Sequence, residues 1–408
     1  MRKRINLSLY EIPLYTFGFF PIIPNRLKGF CVIFLFLISL YSYLIFKNTI
    51  YPKKKVLEFS SIYIILIISL INTSNFINID KLLSTRLGLL IVPISFGFFY
   101  GVKKEINFNF LLKYTNLLLL ITTFFSLWIL HFLNQLGVFS NKMSMYDAMA
   151  YITNEMWLIN QHPIYTSIFI SISILLLVYC WLILKNRRFI LITLPFLLVN
   201  LFTLFILERK GVLISFIISL VILIMKLLNK KTYKRYFIIS IFTSAIFFVC
   251  HSHRFKEIFT VENYSSSLKY NSTSLRFGIY NCALSKISES PIFGFGLGDV
   301  QLELNKCYKS KSDLLSEITY NSHNQFLSYF LNSGIFGVLL LIFLLTRSVQ
   351  RAIKNKNFIL LTTITFFTFC MLFENILERQ SGVILFSFYF SLFNFYNLSK
   401  TNKYSFEK

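Results

Sequence analysis

Three residues carry side chains suited to handling a phosphate-bearing substrate: Arg209, Arg276 and His323. His323 lies in SHNQFLSYFLNSGIFG, residues 322–337, where a histidine, two amides and a serine open a long apolar run. Ser322 or Asn321 suits a helix N-cap, which puts His323 in the first turn. The positive end of a helix disfavours an imidazolium, leaving a ring able to take a proton. The plainer reading is an interfacial cap, with Asn324 and Gln325 solvated. Arg209 sits in LFTLFILERKGVLISF, where two apolar runs meet at Glu208-Arg209-Lys210-Gly211. This is either an ordinary charged turn or a planar guanidinium aimed at a phosphate. Arg276 belongs to SLRFGIYNCALSKISESP, which reads as an amphipathic helix capped by Ser274. Leu275, Ile279, Ala283 and Ile287 form its apolar face, and it stops before Pro291. An arginine in its first turn makes an anion site, though such arginines are often only solvated. Two guanidiniums and a neutral imidazole together suit an anionic, diphosphate leaving group and an incoming hydroxyl that must lose its proton.

Other chemistry-bearing residues are weaker candidates. His162 and Tyr165 in NQHPIY stand where an apolar run begins and line the same end, or simply pack beside a proline turn. Lys210 and Asn324 adjoin the principal candidates. Glu374, Glu378 and Arg379 in FENILERQSG either help to bind an acceptor or cap helices and pair across a turn. His251 and His253 in CHSHRF lack a third metal ligand, and the few acidic residues, 17 in all, form no clustered pair suited to magnesium. The expectation is therefore no metal and no cofactor. PIFGFGLGDV supplies glycines for a tight turn, but its spacing fits neither dinucleotide nor P-loop fingerprints.

The elements that must position these residues are membrane helices. Of 408 residues, 55% are hydrophobic and 14% charged, with 48 Phe, and the mean hydropathy is +0.64. That balance predicts an all-α polytopic membrane protein. The net charge of +24 falls in short clusters between apolar runs, which excludes a basic nucleic-acid face and leaves the lipid bilayer as the bulk partner. Runs of spanning length lie near residues 8–24, 28–46, 56–72, 86–101, 112–133, 165–184, 189–207, 211–228, 236–251, 325–346, 357–375 and 381–396. That makes about twelve spans within one polytopic domain, residues 1–408. The basic start without a small-residue cleavage site reads as a retained first span. KNTIYPKKK, GVKK, KNRR, NKKTYKR and RSVQRAIKNK occupy alternate connections, so that face, with both termini, is cytoplasmic. The opposite face holds the long segments 134–164 and 252–324, the latter a large loop with short helices. Arg209, Arg276 and His323 all fall on it.

At these residues the chain resembles the O-antigen ligase and O-antigen polymerase superfamily, multi-span glycosyltransferases. The carrying pattern is ERKGVLISF, then a large loop with SLRFGIYNCALSKISESPIFGFGLGDV, then SHNQFLSYFLNSGIFGVLLL. It covers residues 200–346, and the likeness elsewhere is architectural. The resemblance implies metal-independent transfer of a glycan from undecaprenyl diphosphate at the periplasmic face of a bacterial inner membrane. Arg209 and Arg276 would bind the diphosphate and His323 would deprotonate or orient the acceptor hydroxyl. Glu208 departs from the small residue many relatives carry before the arginine. The acceptor implied is lipid A-core, with a polymerase extending a lipid-linked glycan as the alternative and a protein-directed oligosaccharyltransferase disfavoured because the chain stops soon after its last span. A polysaccharide transporter is the reading from another class, disfavoured because transporters place ionisable groups at mid-membrane. Cys31, Cys180 and Cys370 read as small core residues. Cys282 and Cys307 share the outer loop, where a disulfide is permitted, but the sequence leaves their distance open.

Overall fold

A computed structural model describes residues 8–46, 51–102, 105–140, 142–155, 161–228, 232, 253–264, 271–317 and 319–399. The apolar run at 236–251, the basic stretch 229–231 and 233–235, and His251 lie outside them. Helices α1 (Ser8–Thr16), α2 (Lys28–Ile45), α3 (Lys53–Ile68), α4 (Ile79–Arg86) and α5 (Gly88–Val102) come first. They are followed by α6 (Phe108–Gln135), α7 (Met145–Glu155), α8 (Pro163–Leu184), α9 (Arg187–Ile206) and α10 (Lys210–Leu227). The loop region holds α11 (His253–Phe259), α12 (Ser272–Glu289), α13 (Val300–Lys311) and α14 (Asp313–Ser316). The chain then returns through α15 (Gln325–Lys354), α16 (Phe358–Phe373) and α17 (Gln380–Phe395). Two three-residue strands, β1 (Glu105–Asn107) and β2 (Asn397–Ser399), pair in parallel.

Among the described residues eight helical stretches are long and apolar enough to cross a membrane, and α16 and α17 are apolar but shorter. The all-α polytopic expectation holds at this level, whereas twelve spans are not confirmed, one of those expected, 236–251, lying outside the described residues. Large apolar side chains stay exposed at helical spacing, such as Leu120, Phe124 and Leu127 on α6 and Leu191, Leu198 and Phe202 on α9. In water these stripes would be costly, but against lipid tails they are not.

The first apolar run departs from a simple span. Only nine residues form α1, about 14 Å of helix. A 3₁₀ turn at Phe20–Ile22 and Pro24 follow. Yet the segment travels the length of α17. Tyr10 shares a small cavity with Phe99, Ile106 and Tyr396. Phe17 stacks on Phe388 at 4.0 Å, and the Lys28 ammonium donates to Ser381 Oγ at 2.9 Å. Residues 10 to 28 therefore run antiparallel to α17 as a broken crossing, and the first and last described elements share one end.

The helix that leads from His323 is itself broken. Within α15, Gly334 takes φ 62° and ψ −156°, and a Cβ there would lie 2.0 Å from the Ile292 carbonyl oxygen. The break frees carbonyls that apolar surroundings cannot satisfy. The PIFGFG turn satisfies them: Phe295 N donates to Leu331 O at 2.8 Å and Gly296 N donates to Asn332 O at 3.0 Å, while Pro291 O accepts from the freed Ile335 N at 3.0 Å. Asp299 anchors the far side of the turn by accepting from Ser74 N and Asn75 N. The glycine-rich stretch is thus a backbone plug in a discontinuous helix.

The loop builds a small core of its own. Ile279, Cys282, Ala283 and Ile287 of α12 pack with Leu304, Cys307 and Tyr308 of α13 and with Leu315 and Leu331. Cys282 and Cys307 form a disulfide with Cα atoms 5.7 Å apart, which settles the distance the sequence left open.

Candidate active site

Four chain segments meet at one end of the bundle. The α9–α10 connection is a tight turn in which Glu208 takes φ 47° and Arg209 precedes α10. Gly211 lets α10 press against α16, since a Cβ there would lie 2.5 Å from Phe373 Cβ. Arg209 is thereby brought beside the turn that begins at Glu374. Gly382 closes the same turn from the other side, against Ile376 O and the Tyr165 ring.

Glu374 is the centre of the cluster. Arg276 Nη2 donates to its Oε1, and His323 Nδ1 stands 3.2 Å from its Oε2. Its side chain is 12% exposed, against 30% for Arg276 and 26% for His323, so the carboxylate is enclosed while its two partners reach outward. Burial pushes the carboxyl up, but the Arg276 guanidinium and the His323 bond and charge outweigh burial and hold it at about 2. An ionised carboxylate only accepts, so His323 Nδ1 is the donor. In the neutral ring the lone pair is then left on Nε2.

The histidine is held from several directions, but not as the sequence suggests. Asn324 is the N-cap of α15, accepting from Phe326 N and Leu327 N, so His323 lies outside the helix and not in its first turn. Its φ is 44°, a left-handed conformation that a non-glycine residue adopts at a cost of about 1–3 kcal/mol. The surroundings impose it. Asn321 Oδ1 accepts from His323 N, and Tyr280 Oη donates to His323 O at 3.2 Å. Beneath lies a second carboxylate, Glu378, which accepts from Asn321 Nδ2, Asn375 Nδ2 and Ser328 Oγ.

Arg276 also differs in detail. The N-cap of α12 is Asn271, whose side chain accepts from Thr273 N and Ser274 N, and Ser274 is inside the helix. This places Arg276 in the second turn, aimed at Glu374 by the helix face and not by the helix terminus. Lys210 reaches Glu257 Oε2 at 2.9 Å and both Ser272 Oγ and Thr273 Oγ1 at 3.3 Å. It ties α10 to the start of α12 and so sets where Arg276 falls.

His162 caps α8, its Nδ1 accepting from Ile164 N at 3.4 Å. Burial and then the nearby Arg379 and Arg209 push its imidazole down to about 3, so it is a neutral group. Its ring lies 6.3 Å from that of Tyr165, which is buried against Gly382. His162 and Tyr165 thus wall the cluster. The sequence reading did not single out Lys28. It is fully buried and donates to Asn25 Oδ1, Gln161 Oε1 and Ser381 Oγ, which ties the residue before His162 to the first turn of α17. Its signal was a lone lysine at the boundary of two apolar runs.

Arg276 and His323 therefore meet through Glu374, with Arg209, His162 and Arg379 close enough to act on one another electrostatically. Among the described residues no three His, Cys, Asp or Glu side chains are grouped to hold a metal. The His253 side chain falls outside them. A stretch of 87 residues is 33% identical to an uncharacterized protein of Haemophilus influenzae, covering 21% of this chain and 22% of that protein. Residues 195–342 match the family model described as O-Antigen ligase. That segment holds Arg209, Arg276, His323 and the glycine turn between them, so the likeness to the O-antigen ligase family falls on the candidate site.

Proposed function

We propose that this protein is a membrane glycosyltransferase that moves a glycan from undecaprenyl diphosphate to a hydroxyl of lipid A-core, without a metal, at the periplasmic face of the inner membrane. The observation that carries the reading is the meeting of Arg276 and His323 on Glu374 at one mouth of the bundle, with Arg209 beside them. His323 Nε2 takes the proton of the acceptor hydroxyl. The freed oxygen attacks the anomeric carbon, the bond from that carbon to the diphosphate oxygen breaks, and undecaprenyl diphosphate leaves with the electron pair. Arg209 and Arg276 stabilise the charge that develops on the leaving oxygen, a role that cations perform without proton transfer. The Cys282–Cys307 bridge supports an oxidising, extracytoplasmic position for the loop.

The test is the surface-glycan profile of a strain lacking the gene, with the lipid-linked intermediates extracted and sized. Long chains left on the polyprenyl carrier beside bare lipid A-core are expected. Core bearing a single repeat would convert the assignment to polymerase. No change in either pool would overturn it. Arg276→Ala and His323→Ala are expected to insert and fold but to lower transfer at least about 100-fold each. Near-wild-type transfer by either variant would remove that residue from the site.

A further inference from the structure

Glu374 has no place in the scheme above, yet it touches both residues on which that scheme depends most. Its two oxygens are divided between two partners: Oε1 takes the Arg276 guanidinium and Oε2 takes His323 Nδ1. A diphosphate needs the donors of Arg276, and Glu374 occupies one of them. The carboxylate is therefore an internal stand-in for the anion to come.

We infer that Glu374 is a positioning residue that couples donor binding to proton abstraction: it holds the Arg276 fork until a diphosphate takes it, and it keeps His323 turned with Nε2 toward the acceptor. When the fork goes to the diphosphate, the carboxylate's charge falls wholly on His323, which makes the ring a stronger base at the moment a donor is present. Without a donor the base is weaker, so proton abstraction from the acceptor is tied to a filled donor site. This inference rests on the reading of His323 as the base.

The groups facing this pair come from every packed element. Arg276 and Tyr280 come from α12, His162 from the start of α8, Arg209 from the α9–α10 turn, and Glu378 and Arg379 from the turn that carries Glu374 itself. His162 stays neutral over the range tested. Movement of the acidic limb of activity on changing Glu374 then reports on His323.

The experiment uses the full-length protein in detergent, with the host's extracted lipid-linked glycan as donor and its lipopolysaccharide core as acceptor. Turnover is followed from pH 5 to 9. Binding of undecaprenyl diphosphate alone is measured in parallel. For Glu374→Gln the expected result is a loss of about 100-fold in kcat, by analogy with losing the partner of any oriented histidine. The acidic limb should move to lower pH, and undecaprenyl diphosphate should bind at least as tightly as to the wild type, because the competitor for Arg276 is gone. Glu374→Asp keeps the charge and is expected to hold the limb in place while losing roughly tenfold in kcat. Weakened diphosphate binding with an unmoved limb would reduce Glu374 to a scaffold and overturn the inference. If Glu374→Gln fails to accumulate, unchanged turnover by Glu374→Asp would overturn it equally. An active His323→Ala would instead sink the base assignment. His323→Ala inactive with a wild-type Glu374→Gln would sink only the coupling.

Discussion

Glu374 and His162 are both displaced from their ordinary ionisation, in directions that give the site end of the molecule a defined response to acid. The carboxyl of Glu374 is lowered from 4.5 to about 2, so its stabilisation is complete above the unfolded value and is lost as pH falls from there towards 2. His162 is lowered from 6.5 to about 3, chiefly by burial. Above 6.5 both folded and unfolded forms are neutral and nothing is lost. As pH falls below 6.5 the unfolded chain takes a proton that the folded site refuses, and stability drops. The melting temperature of the purified protein is expected to fall between pH 6.5 and 5. His162→Asn, which can still cap α8, should lose less over that window than the wild type. Equal loss by both proteins would place the acid sensitivity elsewhere. At this scale the sequence shows residue type and coarse position: Arg209, Arg276 and His323 stand out because cations and a histidine interrupt apolar runs. It does not show Glu374 as their partner, because residues 276, 323 and 374 are joined only by packing that Gly211 and Gly382 permit. It also misplaces the caps, since several polar residues in a row compete for each one and the choice falls to tertiary contacts such as Tyr280 to His323.

Among the elements, the broken helix and the disulfide make separate demands. Gly334 is left-handed and pressed against Ile292 O. Gly334→Ala is expected to cost about 2–3 kcal/mol, from backbone strain and forced separation of the PIFGFG turn. Because Asn332 beside the break donates to Ser328 O, and Ser328 donates to Glu378 Oε1, transfer should fall along with the melting temperature. A variant that melts normally and transfers fully would disconnect the turn from the site. Cys282 and Cys307 close a loop across 25 positions, and their reduction is expected to cost about 3 kcal/mol of loop stability, seen as earlier proteolysis of 271–317 under reductant. The apolar runs that become α2, α3, α5, α6, α8, α9 and α10 are legible because length and hydropathy alone decide them. The run at 8–24 misleads, since Pro21 and Pro24 break it while neighbouring helices still bury it along α17. The amphipathic pattern of α12 is legible from Ile279, Ala283 and Ile287, which do pack inward.

On the scale of the whole molecule, the helices alternate so that two chemically different ends emerge. One holds Arg209, Arg276, His323, Glu374 and the disulfide loop. The other gathers the basic connections: Arg351 binds both oxygens of Glu58 and Asn394 Oδ1, and Lys55 lies over Tyr100 and Phe395. The sequence distinguishes these ends through charge bias, because lysines and arginines concentrate in alternate short connections. It does not show that residues 10 and 396 share one cavity, which depends on the antiparallel course of 10–28 along α17. The bias predicts which end meets the cytoplasm, and a chemical label tests it. Among the described residues Cys31, Cys180 and Cys370 are buried and Cys282 and Cys307 are bonded, and Cys250, which lies outside them, is changed to Ser to give the labelling background. Lys256 in α11 and Lys356 after α15 are exposed at opposite ends. In cells with a permeabilised outer membrane, Lys256→Cys is expected to react with a membrane-impermeant maleimide, and Lys356→Cys only after the inner membrane is opened. The reverse order would put Arg276 and His323 on the cytoplasmic side and overturn the periplasmic placement of the proposed site.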